Sequence, residues 1–266
     1  MPIKMIVTDL DGTLLRTDKT ISEQSKTVLT QCRESGILTV YATGRGGSAD
    51  QVAPKGLFDG RITMNGAIAK SGEIIVHDCL IPYQSARSLL VACDKRKMRI
   101  TSEISGMHYS NFNVSDLWPY ITDYRIVDFS QHEMDAEKLY TPNPTPEERL
   151  FIEQMLPEEL YFVVTADVNG YLGQIMHVGA TKAKAVSALA KYWGISLSDI
   201  VAFGDDYNDI EMLQKCGIGI AVANAIDEVK AVADQICDTN DNDGVSKWLE
   251  GLAYRRGTAF KSRWLL

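Results

Sequence analysis

Asp9 and Asp11 stand two residues apart, directly after the short apolar run Lys4–Thr8, in the string Asp9-Leu10-Asp11-Gly12-Thr13-Leu14. On an extended chain residues i and i+2 point the same way, so both carboxylates can address one site. Two carboxylates that close repel unless a cation or a proton lies between them. A second acidic string, Gly204-Asp205-Asp206-Tyr207-Asn208-Asp209, also follows an apolar run, Ile200–Phe203, and offers oxygen ligands to a hard cation. Neither string is a calcium loop of the EF-hand type. That loop wants Gly at its sixth position and Glu at its twelfth, where the first string has Leu14 and Thr20 and the second Ile210 and Cys216. The remaining alternative for each is a solvated acidic turn, of which Asp238–Asp243 is an example in the same chain.

Two further positions suit an anion. Thr43-Gly44-Arg45 breaks the apolar run Ile37–Ala42, and a hydroxyl beside backbone N–H groups freed at a helix start makes a small anion seat. Taken alone, Thr-Gly is also a common loop dipeptide. Lys182, in Thr181-Lys182-Ala183-Lys184, falls in the first turn of a helical segment, where a cation opposes the helix dipole unless an anion lies nearby. Lys184 competes for any role given to Lys182. The isolated histidines His77, His108, His132 and His177 have no metal-ligand spacing, which disfavours zinc chemistry. Cys32, Cys79, Cys93, Cys216 and Cys237 are odd in number and contain no Cys-x-x-Cys, which argues against a disulfide framework.

The elements that must hold these residues are readable from periodicity. Lys4–Thr8, Ile37–Ala42 and Arg61–Met64 predict strands, and a helix N-capped by Ser22 places Val28, Leu29 and Cys32 on one face before Gly36 stops it. The same rhythm returns at Thr181. Lys182–Trp193 and Ile210–Cys216 predict helices, Ile200–Phe203 and Ile218–Val222 strands, and Ile226–Ala233, Gln235–Cys237 and Val245–Leu252 complete the pattern. Strand–helix alternation implies a parallel sheet covered on both faces; three of the four chemical strings fall at carboxyl ends of its strands, where ligands collect, and the fourth, Lys182, at a helix start. Between the two stretches the rhythm differs. Tyr83–Lys97 predicts an amphipathic helix, Arg99–Glu103 and Met107–Phe112 paired strands around Ser105-Gly106, and Pro142, Pro144 and Pro146 a loop. Glu147–Met155 reads as a helix, and Leu160–Val168 with Tyr171–His177 as a hairpin turning at Asn169-Gly170, both of whose central residues need positive φ. Hairpins are not βαβ units. The expectation is an α/β core of residues 1–81 and 179–266, interrupted by an inserted α+β module at 82–178.

The chain has 266 residues, 45% of them hydrophobic and 23% charged, enough for a proper core. Its 35 acidic residues against 27 basic ones give a net charge of −8, a surface that repels phosphate backbones and anionic lipid. No stretch approaches the roughly 18 apolar residues of a membrane span. With no signal-peptide pattern in the first residues, the expected location is a reducing cytosol. The basic tail from Arg255 to Leu266 (Arg255, Arg256, Lys261, Arg263, no acid) is assigned no part in the fold and reads as a frayed terminus or an appendage.

In combination and order, Asp-x-Asp-Gly-Thr-Leu at 9–14, the strand end Thr43-Gly44, Lys182 at a helix start, and Gly-Asp-x-x-Asn-Asp-x-x-Met-Leu at 204–213 resemble the haloacid dehalogenase superfamily. The closer resemblance is to its Cof-type phosphatases, whose large C2 cap is inserted between the second and third motifs. Met64-Asn65-Gly66-Ala67 and Gly219-Ile220-Ala221-Val222-Ala223-Asn224-Ala225 are similar to further Cof-type signatures, and the likeness runs from residue 1 to about residue 253. Ala183 stands where Gly usually follows the lysine, and Ala223 where Gly usually precedes Asn224-Ala225; both bear on local loop shape alone.

The resemblance implies a Rossmann-like, doubly wound parallel-sheet core with an inserted α+β cap that governs substrate choice. It implies Mg²⁺-dependent hydrolysis of small phosphorylated metabolites, sugar phosphates foremost, through an aspartyl-phosphate intermediate. Asp9 would be the nucleophile and Asp11 the general acid, then base. The metal would be held by the Asp9 carboxylate, the Asp11 backbone carbonyl and Asp205. Lys182, the Thr43 hydroxyl, Asn208 and the backbone N–H groups of Leu10 and Gly44 would hold the phosphoryl oxygens, with Asp209 supporting Lys182 or a metal-bound water. Asn65 would contact substrate, directly or relayed by the cap, or else simply form a turn. An Asp at position 11 matches the superfamily's phosphatases and phosphomutases and not its ion-pumping ATPases, phosphonate cleavers or dehalogenases. The alternatives are a phosphohexomutase of the phosphomannomutase type and a non-enzymatic phosphosugar sensor; substitution of Asp9, Asp11 or Lys182 would have favoured the sensor. The expected partner is a small phosphorylated metabolite, with no nucleic acid and no membrane, bound by a monomer or weak homodimer.

Overall fold

The computed structural model describes residues 3–167 and 169–255. In chain order it begins with β1 (Met5–Thr8), α1 (Glu23–Glu34), β2 (Leu38–Ala42), α2 (Ala49–Val52), β3 (Gly60–Thr63), β4 (Ile68–Ser71) and β5 (Ile74–Asp78). Next come α3 (Tyr83–Lys95), β6 (Thr101–Ile104), β7 (Met107–Ser110), β8 (Tyr124–Ile126), β9 (Lys138–Pro142), α4 (Pro146–Met155), β10 (Leu160–Asp167) and β11 (Gly170–His177). The chain then continues through α5 (Lys182–Tyr192), β12 (Ile200–Gly204), α6 (Ile210–Lys215), β13 (Ile218–Val222), α7 (Asp227–Val232), β14 (Gln235–Cys237) and α8 (Gly244–Arg255).

Two compact units result, one of residues up to His77 together with those from Thr181 onward, the other of Asp78–Ala180. The inserted unit thus starts at Asp78 and ends at Ala180, where the sequence reading set 82 and 178.

Every residue of β1 and β12 is buried, and such continuous apolar runs belong in the middle of a parallel sheet. The strands of the first unit lie in the order β14-β13-β12-β1-β2-β3-β4-β5, with β1 paired in parallel to both β12 and β2. From β1 the chain winds outward through β2 and β3; after the insertion it winds the other way, through β12, β13 and β14. Right-handed crossovers run in these two directions put helices on both faces of the sheet. Val28 and Leu29 of α1, Val186 and Leu189 of α5, Met212 and Leu213 of α6 and Val245 of α8 join Val40, Val201, Phe203 and Ile220 in one apolar core. The winding direction reverses between β1 and β12. Loops leaving the carboxyl ends of those two strands therefore diverge and leave a crevice.

Three local expectations are corrected. The helix after Thr43 starts only at Ala49 and is four residues long, so the Thr43-Gly44-Arg45 segment is loop rather than a helix N-terminus. β4 turns back antiparallel on β3, with Thr63 opposite Ile68, and β5 extends the sheet further, neither of which the periodicity had marked. The β10–β11 hairpin pairs Asp167 with Gly170, one residue earlier in register than a turn centred on Asn169-Gly170.

The inserted unit is a six-stranded sheet in the order β10-β11-β9-β6-β7-β8, antiparallel except between β7 and β8. Leu89, Leu90 and Cys93 of α3 form one core with Leu139 and Ile175 of that sheet and with Ile100, just before β6. Trp118, Tyr140 and Val114 form a separate small cluster, in which the Tyr140 hydroxyl meets His108 Nδ1 at 3.0 Å. No described helix is long and apolar enough to cross a membrane, and residues 256–266 of the basic tail lie outside the described residues.

Candidate active site

The Asp9 N–H donates to the Phe203 carbonyl at 3.0 Å, which ties the end of β1 to β12 at the point where the winding reverses. The chain then folds back tightly, with Leu14 N–H and Leu15 N–H both donating to the Leu10 carbonyl. Asn224 and Asn240 pin this loop from below. Asn224 Nδ2 donates to the Gly12 carbonyl at 2.7 Å, and Asn240 Nδ2 to the Leu15 carbonyl at 2.9 Å. Gly12 has φ +78, and a Cβ there would overlap the Asp205 carboxylate. Only glycine permits this turn while letting Asp205 come in so close.

Lys182 is buried completely, and its Nζ donates at 2.7 Å to Asp9 Oδ1 and at 2.7 Å to Asp209 Oδ1. The anion that a lysine in the first turn of α5 needs is thus a pair of carboxylates. Lys184, two residues on, is exposed. Both oxygens of Asp209 are occupied, since Oδ2 accepts from the backbone N–H groups of Asp205 and Asp206. Asp205 accepts from the Thr13 hydroxyl at 2.5 Å. One oxygen each of Asp9, Asp205 and Asp209 lies within 4.8 Å of the others, a hard-oxygen donor set suited to a divalent cation such as Mg²⁺.

The electrostatics follow from this crowding. Burial pushes the Asp9 carboxyl up, Lys182 pulls it back, and Asp209 and Asp205 add to the rise, which leaves it well above its ordinary range. For Lys182 burial works against the proton, but Asp209 and Asp9 outweigh it and hold the ammonium above the usual lysine range. Asp205 is pushed up to about 6, by burial first; the Thr13 hydrogen bond opposes this and Asp209 reinforces it. An uncompensated set of buried acids is the state that a bound cation relieves.

Asp11 behaves differently. Arg45 grips it with Nε at 2.5 Å and Nη2 at 2.7 Å, and Lys19 Nζ reaches Oδ1 at 2.9 Å. Burial favours its neutral form, but these hydrogen bonds prevail and hold the carboxyl down to about 2. Of the remaining candidates, Thr43 is buried and its Oγ1 accepts from Arg45 N–H at 3.1 Å. Asn208 is exposed and donates to Asn65 Oδ1 at 2.8 Å. Leu10 is buried in the core. The sequence reading did not single out Thr13, Arg45 or Lys19. Thr13 and Arg45 lie inside the strings that it quoted; Lys19 sits in a loop at φ +67 with no periodicity to mark it.

With this geometry in place, the comparisons with known proteins agree. The profile of the haloacid dehalogenase-like hydrolases matches residues 6–249, and the chain belongs to that family. Two 5-amino-6-(5-phospho-D-ribitylamino)uracil phosphatases of Bacillus subtilis are 28% and 29% identical to it. Each covers 92% of this chain, over 96% and 94% of its own length. A solved subclass IIB sugar phosphatase of the superfamily superposes with a TM-score of 0.75 at 26% identity, covering 94% of this chain and 99% of its own. The protein is a phosphatase of the Cof type, a phosphoric monoester hydrolase.

The raised Asp205 sets a linkage test. Its folded pKa exceeds its ordinary value of 3.8, so its contribution to stability is present below about pH 4 and is lost as pH rises through about 6. In metal-free buffer, Asp205→Asn should gain on the parent protein between those limits and then level off, by on the order of 1–2 kcal/mol. Thermal denaturation from pH 4 to 7.5 in chelator measures the gap, and a gap independent of pH would contradict the crowding. Adding Mg²⁺ should close it by stabilising the parent alone.

Proposed function

We propose that this phosphatase hydrolyses small metabolites that carry their phosphate ester on a polyhydroxy chain, sugar phosphates foremost, with Mg²⁺ and by way of an aspartyl-phosphate on Asp9. The observation that carries this reading is the Asp9 carboxylate held by fully buried Lys182 beside Asp205, where the winding of the sheet reverses. The names of the relatives, a sugar phosphatase and phosphoribitylaminouracil phosphatases, share a phosphorylated polyhydroxy chain.

In the first step an Asp9 oxygen attacks phosphorus, and the bond from phosphorus to the ester oxygen breaks. The departing alkoxide takes a proton from Asp11. In the second step water attacks phosphorus as Asp11 removes its proton, the bond to Asp9 breaks, and phosphate leaves. Asp11 as held by Arg45 and Lys19 is the ionised form, ready for the second step; for the first it must loosen that grip and carry a proton.

A carboxylate approaching a phosphate dianion meets like charge. One such pair at 4 Å costs about 4 kcal/mol at an effective dielectric near 20. Lys182, which donates to Asp9, is assigned one phosphoryl oxygen, and Thr43, Asn208 and the N–H groups of Leu10 and Gly44 are assigned the others. The Asp9 and Asp205 carboxylates with the Asp11 carbonyl would hold Mg²⁺, which supplies charge neutralisation and alignment when bound. Asp209, whose oxygens accept from Lys182 and from two backbone N–H groups, is assigned the support of Lys182 or of a metal-bound water. We assign the choice of ester to the inserted unit, Asp78–Ala180, which contains none of these groups.

The direct test is phosphate release from a panel of phosphorylated metabolites with Mg²⁺. Activity on polyhydroxy phosphates that vanishes on chelation is the expected result, and full activity after exhaustive chelation would overturn the metal assignment. Asp11→Asn should retain part of its activity on an aryl phosphate, whose leaving group needs little protonation, and lose about 100-fold or more on an alkyl phosphate. Equal losses on both would remove Asp11 from acid catalysis. Alanine substitutions on exposed positions of the inserted unit should change the ratio of kcat/KM for a sugar phosphate to that for an aryl phosphate. A ratio that stays constant across the scan would take selectivity away from that unit.

A further inference from the structure

Three successive residues, Met64 (φ +50), Asn65 (φ +54) and Gly66 (φ +104), adopt left-handed backbone after β3. Two of them carry side chains, and Met64 is buried. Non-glycine residues pay for such conformations in energy, and these persist only where the surroundings over-determine them. Here the surroundings are the other parts of the site. Met64 N–H donates to the Arg45 carbonyl at 2.9 Å and Asn65 N–H to the Thr43 carbonyl at 3.0 Å, which fastens the turn to the second motif. Gly66 lies against the residue that caps α5, so closely that a Cβ would overlap the Thr181 carbonyl, one residue before Lys182. Asn65 Oδ1 accepts from Asn208 Nδ2 at 2.8 Å, in the fourth motif.

We infer that the Met64–Gly66 turn sets the relative positions of the second, third and fourth motifs, and that Asn65 is a positioning residue that holds the Asn208 amide in place for the phosphoryl group. This rests on the role proposed above for Asn208. Asn208 is exposed, on a short turn, and an exposed amide left to itself samples several rotamers. The bond to Asn65 fixes one N–H of that amide and with it the plane of the whole group. From this left-handed backbone Asn65 presents its side-chain oxygen Oδ1 to Asn208, so the strained turn and the amide pair are parts of one device. Asparagine suits the position because it tolerates left-handed backbone better than other side-chain-bearing residues and carries the acceptor.

Gly66→Ala is a poor probe, because its overlap with Thr181 threatens the fold. Asn65→Gly keeps the left-handed turn accessible and removes only the amide. Parent, Asn65→Gly, Asn208→Ala and the double variant are compared in Mg²⁺ by melting temperature and by kcat and KM for an aryl phosphate. Asn65→Gly should melt with the parent, lose about 10–100-fold in kcat/KM, as removal of a supporting partner does, and divide that loss between kcat and KM as Asn208→Ala does. The double variant should lose no more than Asn208→Ala alone, since residues in one network are not additive. Parental activity in Asn65→Gly beside a loss in Asn208→Ala would overturn this inference alone, as would a double variant whose loss is the product of the two. Parental activity in Asn208→Ala would overturn the role of Asn208 itself, and this inference with it.

Discussion

Lys182 is the charge on which the site depends. Asp9, Asp205 and Asp209 bring carboxylates within 4.8 Å of each other where water is largely excluded, and Lys182 is the buried cation among them. Breaking a buried pair by removing one partner costs about 3–5 kcal/mol, because the other charge is left uncompensated. The constraint reaches through the whole chain. Lys182 and Asp9 are 173 residues apart, so the pair forms only when α5, which follows the insertion, docks on the sheet begun by β1. The first unit is complete only with contributions from both sides of the insertion, and its ionic centre is one of the things that joins them.

The same crowding explains why the surrounding backbone is so specific. Asp209 gives one oxygen to Lys182 and the other to two N–H groups of its own turn, so one carboxylate ties that turn to α5. Asp205 comes in close because residue 12 has no side chain, and the loop around that glycine is held by Asn224 and Asn240. Asp11, two residues from Asp9, is drawn out of the acidic group by Arg45 and Lys19 and so keeps a separate charge state. Two carboxylates with distinct environments are what a nucleophile and an acid–base group require. The cost is a site that is least stable when metal-free and fully ionised.

Much of this was legible in the sequence, for identifiable reasons. β13 was read to the residue, because a short apolar run between turn residues, Ile218–Val222, leaves few alternatives. The chemical strings were legible because several unusual residue types recur at fixed spacing after apolar runs. Position alone left Lys184 in competition with Lys182, which only the resemblance preferred, and burial separates them in the structure. The grip on Asp11 was not legible: Lys19 reaches it across a loop, and neither period nor composition records where a long flexible side chain ends. β4 and β5 escaped because Ile68–Ser71 is too short and mixed to alternate, and Ile74 and Ile75 are exposed on a strand at the sheet edge. Asn65 was ambiguous between turn former and ligand because the distinction lies in what its amide touches, and that partner, Asn208, is 143 residues away.

The central claim is that Asp9, held by Lys182, receives the phosphoryl group itself. The most direct measurement is acid quenching of the Mg²⁺-loaded protein during steady-state turnover of an aryl phosphate, followed by proteolysis and mass analysis of the peptide bearing Asp9. That peptide should carry the mass of one phosphoryl group, located at Asp9, labile to hydroxylamine and absent in Asp9→Asn. Steady turnover with no phosphorylated aspartate at any time point, or with the group on another residue, would contradict it.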